Sequence, residues 1–104
     1  MILVLGSLVA HEAHFAIALA LSQEHVARSR AEPGCISHAV HRDLENSLRL
    51  VFIEEWQDQE ALWAHFKLPA SRAFAKAVAE ISSEPPSMSM FQASQLQLPG
   101  KSAA

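Results

Sequence analysis

The sequence has little of what disulfide-bonded, membrane-spanning and nucleic-acid-binding proteins need. Its 104 residues contain one cysteine, Cys35, which cannot pair within the chain. The longest apolar run near the start, residues 1–10, has about half the length of a membrane-spanning helix and is interrupted by Gly6 and Ser7. Eight lysines and arginines against eleven acidic residues give a net charge of -3, with no basic face to neutralise phosphates. We therefore expect neither a membrane nor a nucleic acid as partner.

What the chain does have is apolar sequence. Half of its residues are hydrophobic and 18% are charged, although the core of so small a chain can bury only a limited share of its surface. The length suits one domain, which we place at residues 1–96, with residues 97–104 as a flexible C-terminal tail. With no signal peptide and one unpaired cysteine, the protein is expected to be cytoplasmic.

Apolar periodicity predicts four strands and three helical segments. Pro33 and Gly34 end the first helix, Asp58 is a suitable N-cap for the second, and Pro69 suits the first turn of the third. The predicted strands are 2–9, 35–42, 48–56 and 87–95, and the predicted helices are 10–31, 58–66 and 69–81.

This order is that of an α+β domain of the ferredoxin-like kind, βαββαβ. Its helices cover one face of the sheet, yet the third strand is apolar on both faces, with Leu50 and Phe52 alternating with Val51 and Ile53. The uncovered face would expose a large hydrophobic patch, so we expect a homodimer in which two sheets stack. The pattern does not decide which set of side chains meets the partner.

Five short stretches carry a family resemblance through their order and spacing. They are Ala31–Cys35 (AEPGC), His41–Glu45 (HRDLE), Phe52–Trp56 (FIEEW), Glu60–Leu62 (EAL) and His65–Phe66 (HF). Together they resemble the antibiotic biosynthesis monooxygenase family, in particular its small quinol-monooxygenase-like members, over roughly residues 2–91. The resemblance implies a dimeric ferredoxin-like α/β barrel. It also implies oxidation of quinols, anthrones or related polyphenols by O2 without metal, flavin or haem.

The chain departs from the family pattern at two positions. His38 stands where relatives have a tyrosine on the second strand, and Ala70 stands where a histidine often follows the proline before the last helix. The haem-degrading branch uses an asparagine, a tryptophan and a histidine where this chain has Ser7, His65 and Ala75. Haem degradation is accordingly disfavoured.

His65 and His38 are the candidate catalytic residues. His65 lies at the edge of the apolar face of the short helix, where an imidazole can take a phenolic proton near neutral pH; the alternative is a histidine that packs or caps at the helix end. His38 shares a strand face with Ile36 and Val40. It could orient a substrate hydroxyl or make a structural hydrogen bond in the sheet.

Apolar side chains could wall a pocket for a flat aromatic substrate, although aromatic residues at helical spacing are also typical of simple core. Glu54 lies on the same strand face as two of them and, if that face is the dimer interface, needs a partner such as Arg42 or Arg49. The candidate substrate-binding residues are Phe52, Trp56, Trp63, Phe66, Phe74 and Met90.

No metal site is expected. His11, His14 and His25 lie along the first predicted helix without an evident further ligand, so a solvated helix face is the simpler interpretation. Cys35 has no base at fixed spacing and is expected to be a small buried hydrophobe.

The sequence leaves two functions open, one as an enzyme and one as a non-catalytic binding protein. The first is a cofactor-independent monooxygenase that takes O2 and a quinol-like or polycyclic phenolic substrate, with His65 as base. The second is a non-catalytic small-molecule-binding or regulatory dimer of the same fold, since fold does not fix function. An apolar cavity that contains His65 would favour the enzyme, and a solid core would favour the regulatory dimer.

Overall fold

The computed structural model describes residues 1–100 as a four-stranded antiparallel sheet with three helices, which confirms the predicted ferredoxin-like α+β fold. The strands lie in the order β2-β3-β1-β4. None of the helices within residues 1–100 is long and apolar enough to cross a bilayer. The strands are β1 (Ile2–Val9), β2 (Cys35–Arg42), β3 (Arg49–Trp56) and β4 (Ser87–Gln92), and the helices are α1 (Phe15–Arg30), α2 (Gln59–Lys67) and α3 (Pro69–Glu80).

The helix ends follow local signals in two cases. The Asp58 side chain accepts a hydrogen bond from the backbone N–H of Ala61 at 2.9 Å and so caps α2, as predicted. Pro69 occupies the first turn of α3, where its missing N–H costs nothing. The last four residues of the predicted tail, 101–104, lie outside the described residues.

Helix α1 begins later than predicted. Residues 10–14 have helix-forming composition, but the N–H of Ala10 donates to Leu48 and the N–H of His11 donates to Ile81. These long-range bonds hold the backbone of His11 extended, and one turn of 3-10 helix at Glu12–His14 then leads into α1.

The sheet has two unlike faces. The helix face, which α1, α2 and α3 cover, carries the buried residues Leu50, Phe52 and Trp56 of β3. The open face carries the intervening residues, including Val51 and Ile53. The sequence pattern did not decide which side chains of β3 meet the helices. The structure shows that Leu50, Phe52 and Trp56 pack under them. Side chains on the open face include Leu3, Leu5, Ser37, Val51, Ile53, Glu55 and Phe91.

A β-bulge near the start of β2 changes which residues share a face. Cys35 pairs with Trp56 and Ser37 pairs with Glu55, so Ile36 is the extra residue. Ile36 is 56% exposed, whereas His38 is 1% exposed. The expectation that Ile36 lies beside His38 was therefore wrong, because simple alternation does not hold across a bulge.

Gly34 joins α1 to β2 in a tight turn against α2. Its φ of 82° lies in the left-handed region, and a Cβ there would come within 2.5 Å of the Cβ of Ala61. Its carbonyl accepts a hydrogen bond from the N–H of Gln57 at 2.8 Å. Only glycine lets the turn approach the first half of α2 this closely.

Candidate functional site

A cavity of about 350 Å³ lies between the helices and the sheet. Parts of β1, β3, all three helices and the start of β4 line it, and the lining is mostly apolar. Gly6 of β1 faces it from the sheet, and the absence of a side chain there leaves the space open. Such a volume suits a small organic molecule. The polar side chains that line it include His25, Glu54, His65, Ser71 and Arg72.

Three histidines from three different elements meet beside this cavity. His25 comes from the buried side of α1, His38 from the helix face of β2 and His65 from the last turn of α2. They are 6%, 1% and 4% exposed. One ring nitrogen from each lies within 4.8 Å of the others. We call this group the histidine cluster.

Glu32 holds His65 in position. Nδ1 of His65 lies 2.9 Å and 3.1 Å from the two carboxylate oxygens of Glu32, and 3.5 Å from the hydroxyl of Ser71. Because a carboxylate only accepts hydrogen bonds, Nδ1 carries a proton, and in the neutral form of the ring the lone pair is on Nε2. The indole of Trp56 packs against the same ring, with centroids 4.7 Å apart.

Glu54 is a buried carboxylate on the helix face, 4% exposed. It accepts a hydrogen bond from Nε1 of Trp56 at 2.9 Å, and Nε2 of His38 lies 3.2 Å from the same oxygen. Burial alone would raise the pKa of Glu54, but the adjacent His38, the Trp56 N–H and the charge of His65 outweigh it and lower the pKa below its usual value. Glu54 is therefore an anion inside the protein.

The ring nitrogens of His38 are poorly satisfied. Nε2 is within ion-pair distance of Glu54 but out of line for a hydrogen bond, and Nδ1 also lacks a partner within residues 1–100. Its ring packs among other rings instead, edge-on to His25 and Trp56. Buried polar atoms are seldom left in this state.

His25 is the most strongly perturbed of the three. Burial, and then the nearby His65, His38 and Arg28, lower its pKa to about 3. Its ring stacks on Phe74 with centroids 4.0 Å apart and planes 5° from parallel. Nδ1 has one long contact, 3.4 Å to a guanidinium nitrogen of Arg28. The imidazole is therefore neutral at physiological pH.

The structure brings some of the predicted substrate-binding residues together. Phe52, Phe66 and Phe74 line the cavity beside the predicted base His65. Trp56 is fully buried behind the rings of His38 and His65.

The other two predicted residues lie elsewhere. Trp63 is 42% exposed and contacts Phe66 from outside, with centroids 5.7 Å apart. Met90 is 46% exposed on β4, where its neighbour Met88 lines the cavity.

Glu54 lies on the helix face, so the condition under which it was expected to pair with Arg42 or Arg49 is not met. Glu54 faces the helices and is partnered by Trp56 and His38, whereas the predicted arginine Arg49 binds Asp43 at 3.0 Å. Arg42, the other arginine, lies over the ring of Phe15 at 4.2 Å.

The three histidines of the first predicted helix do not share a solvated face, as had been expected. His11 and His14 are exposed, while His25 is buried in the cluster. Sequence reasoning missed His25 and Glu32 as site residues. Pro33 and Gly34 indicate a turn after Glu32, but the contact of this turn with α2 is visible only in the structure.

The fold and the cavity define a small ferredoxin-like domain with a mostly apolar internal cavity. The sequence profile of the antibiotic biosynthesis monooxygenase family matches residues 1–77, and the chain belongs to this family. A curated relative, an uncharacterised protein of Synechocystis sp., is 30% identical over 79 residues. That match covers 76% of this chain and 54% of the relative, so the chain spans about half the length of the curated relative it matches.

Solved structures of low sequence identity share the fold. A candidate antibiotic biosynthesis monooxygenase of Deinococcus radiodurans is 22% identical with a TM-score of 0.88, and the match covers 96% of this chain and 100% of that one. Rv0793 of Mycobacterium tuberculosis is 20% identical with a TM-score of 0.85, covering 91% and 96%. A crystal structure described as an antibiotic biosynthesis monooxygenase is 24% identical with a TM-score of 0.85.

Proposed function

We propose that this protein is a monooxygenase that oxidises a quinol-like or polycyclic phenolic substrate with O2, without a metal, flavin or haem in the reaction. The observation that carries the proposal is an imidazole, His65, held by the carboxylate of Glu32 in the wall of an apolar cavity. Family membership supports the reaction class. The cavity supports an enzyme over a regulatory dimer, for which a solid core was expected.

The proposed reaction requires a base and a pocket that excludes bulk water. Nε2 of His65 takes the phenolic proton, and Glu32 stabilises the resulting imidazolium through Nδ1. The phenolate is electron-rich and passes an electron to O2 in a site from which bulk water is excluded. One oxygen atom then enters the product and the other leaves as water, with all electrons supplied by the substrate.

The cavity wall suits an aromatic substrate. Phe52, Phe66 and Phe74 offer ring faces and edges, while Ser71 and Arg72 supply polar groups that could orient a hydroxyl or carbonyl. Pro86, Ser87 and Met88, which are exposed, line the cavity together with residues of α3.

We further propose a cytoplasmic homodimer that forms through the open face. Leu5, Ile53 and Phe91 of that face are 42%, 41% and 48% exposed, and they lie on three adjacent strands. A contiguous apolar patch of this kind is typical of a protein interface. A second copy is the simplest occupant because it covers the same patch on both protomers.

Oxygen uptake tests the proposed reaction. The protein is mixed anaerobically with menadiol or an anthrone, O2 is admitted, and uptake is followed with an electrode while product is analysed after labelling with isotopic oxygen. We expect enzyme-dependent uptake with one labelled atom in the product. The proposal fails if no compound of such a panel is consumed faster than without protein.

Two variants locate the reaction. His65→Gln removes the base and should lower the rate by about 10²- to 10⁴-fold. The matched control is His41→Gln, an exposed histidine on the open face, which should leave the rate unchanged. A rate in His65→Gln equal to that of the control would contradict the role of His65.

Gly6→Val tests the cavity itself. The nearest atoms to a Cβ at Gly6 are at 3.5 Å and 3.8 Å, so a side chain fits and extends toward the cavity. We expect substrate binding and turnover to fall at least tenfold while the melting temperature stays the same or rises, since valine is favoured in strands. Unchanged turnover in a folded Gly6→Val protein would place the reaction elsewhere.

A further inference from the structure

The chain has six histidines, and burial divides them into two sets of three. His11, His14 and His41 are exposed, whereas the three members of the histidine cluster are all buried and converge on one point. In each buried imidazole, one ring nitrogen lies within 4.8 Å of a ring nitrogen of the other two. The proposed oxidation uses only one of them, so the other two need a different explanation.

His38 gives the clearest sign that a partner is missing. Its ring is 1% exposed, and neither nitrogen makes a hydrogen bond within residues 1–100. Leaving a buried polar group unsatisfied is costly, and the rings of His25 and His65 stand close to His38 without making a hydrogen bond to it. A bound cation would satisfy it directly.

The charge around the cluster also favours a cation. Glu32 contacts His65 and Glu54 lies beside His38, so two carboxylates flank the three rings. Within residues 1–100 no lysine or arginine lies within ion-pair distance of either carboxylate. Their partners in this part of the chain are the imidazoles of His38 and His65, and a divalent ion held by those rings would keep positive charge beside both carboxylates.

We propose that His25, His38 and His65 bind one divalent transition metal ion of the zinc class. Imidazole nitrogens favour zinc, copper, nickel and iron over magnesium and calcium, and three histidines with an open fourth position form a familiar zinc site. Glu32 on Nδ1 of His65 and Glu54 beside Nε2 of His38 stand where carboxylates orient metal-binding histidines through the second nitrogen.

The geometry requires a small contraction. Nitrogens about 2.0–2.1 Å from a tetrahedral zinc ion lie roughly 3.4 Å apart, so rings now within 4.8 Å would each move by less than about 1 Å. Arg28 opposes a cation near His25, but its contact is long at 3.4 Å and it already binds Glu24 at 2.9 Å. His25 and His65 both line the cavity, so a molecule in the cavity would be able to reach an ion bound to them.

The metal site and the proposed oxidation share His65, so the protein cannot do both at once. A metal bound to Nε2 of His65 removes the lone pair that would accept the phenolic proton. Zinc should therefore inhibit oxygen uptake by the metal-free protein, and a chelator should restore it. Metal binding is measured without substrate, so its failure and the failure of the oxidation are distinguishable.

Cobalt(II) is the probe, because its visible absorption reports tetrahedral coordination, and zinc should displace it. The full chain, freed of metal by chelation and dialysis, should bind one Co2+ per chain with a dissociation constant in the micromolar range or tighter. The matched control, His11→Ala/His14→Ala/His41→Ala, removes all three exposed histidines and should bind equally well. His25→Phe, which keeps the ring stacked on Phe74, should lose the absorption band.

A second variant guards against misfolding. Glu32→Gln leaves all three ligands in place and should weaken cobalt binding by about 10- to 100-fold. The proposal is overturned if the wild-type chain shows no tetrahedral cobalt band, or if the exposed-histidine variant loses the band. It is also overturned if folded His25→Phe and Glu32→Gln proteins bind cobalt as tightly as the wild type.

Discussion

Each face of the sheet carries side chains that are unusual for their surroundings. The helix face buries Glu54 and His38, while the open face leaves Leu5, Ile53 and Phe91 between 41% and 48% exposed. Polar groups are ordinarily outside and large apolar side chains inside. Each arrangement costs free energy in the isolated chain. It supports the proposals made above, of a small ligand or ion on the helix face and of a second copy of the chain on the open face.

The largest effect is expected on the open face, from Ile53→Asp. A carboxylate placed in an apolar interface must be desolvated without a partner, which should raise the dimer dissociation constant by more than about 100-fold. Sedimentation velocity at micromolar concentration should show a dimer for the wild type and a monomer for the variant. Leu44→Asp, at a fully exposed loop residue, is the control and should remain dimeric. A wild-type protein that sediments as a monomer would break the comparison.

Glu54 and Glu55 are adjacent on β3 and point to opposite faces, so substituting each in turn compares the stability contributed by the two faces. Glu54→Gln removes a buried charge that Trp56 and His38 stabilise, and should lower the free energy of unfolding by about 1.5–3 kcal/mol. Glu55→Gln, on the open face, keeps the hydrogen bond from Ser37 and should change stability by less than about 1 kcal/mol. Urea unfolding at equal protein concentration measures both. Equal losses would mean that Glu54 is not specially buried.

The smallest effect concerns Cys35, at the edge of the helix face. Burial, and then the charges of Glu32 and Glu54, raise the pKa of its thiol. A raised pKa means less thiolate at pH 8, so alkylation of the native protein should be several-fold slower than of the urea-unfolded chain. The native rate should keep rising with pH beyond the point where the unfolded rate levels off. Identical pH profiles would show that this edge is open to solvent.

Much of the fold could be predicted because its signals are local. Alternating side chains define β1 and β3, and Pro33, Gly34, Asp58 and Pro69 mark ends of elements. Errors arose where tertiary contacts overrule local preference. Strand β4 ends at Gln92 rather than at residue 95: Gln92 pairs with Ile2, the first residue of β1, and Ala93 makes the last backbone hydrogen bonds, with Met1.

The site was harder to predict, because its parts come together only in three dimensions. His65 could be selected from its place on a helix edge, but its partner Glu32 lies 33 residues earlier in the chain. His25 was grouped with His11 and His14 along the sequence, although its spatial neighbours are His38 and His65. No spacing rule relates residues on a helix, a bulged strand and another helix.

Gly34 shows how a surface turn can govern the interior. A side chain there would push the first half of α2 away from the turn, because the space is already taken by Ala61. The same turn carries Glu32, and the same helix carries His65, so this displacement would separate the carboxylate from the imidazole. Any search for altered catalysts or sensors on this scaffold should therefore leave Gly34 unchanged and vary the cavity wall instead.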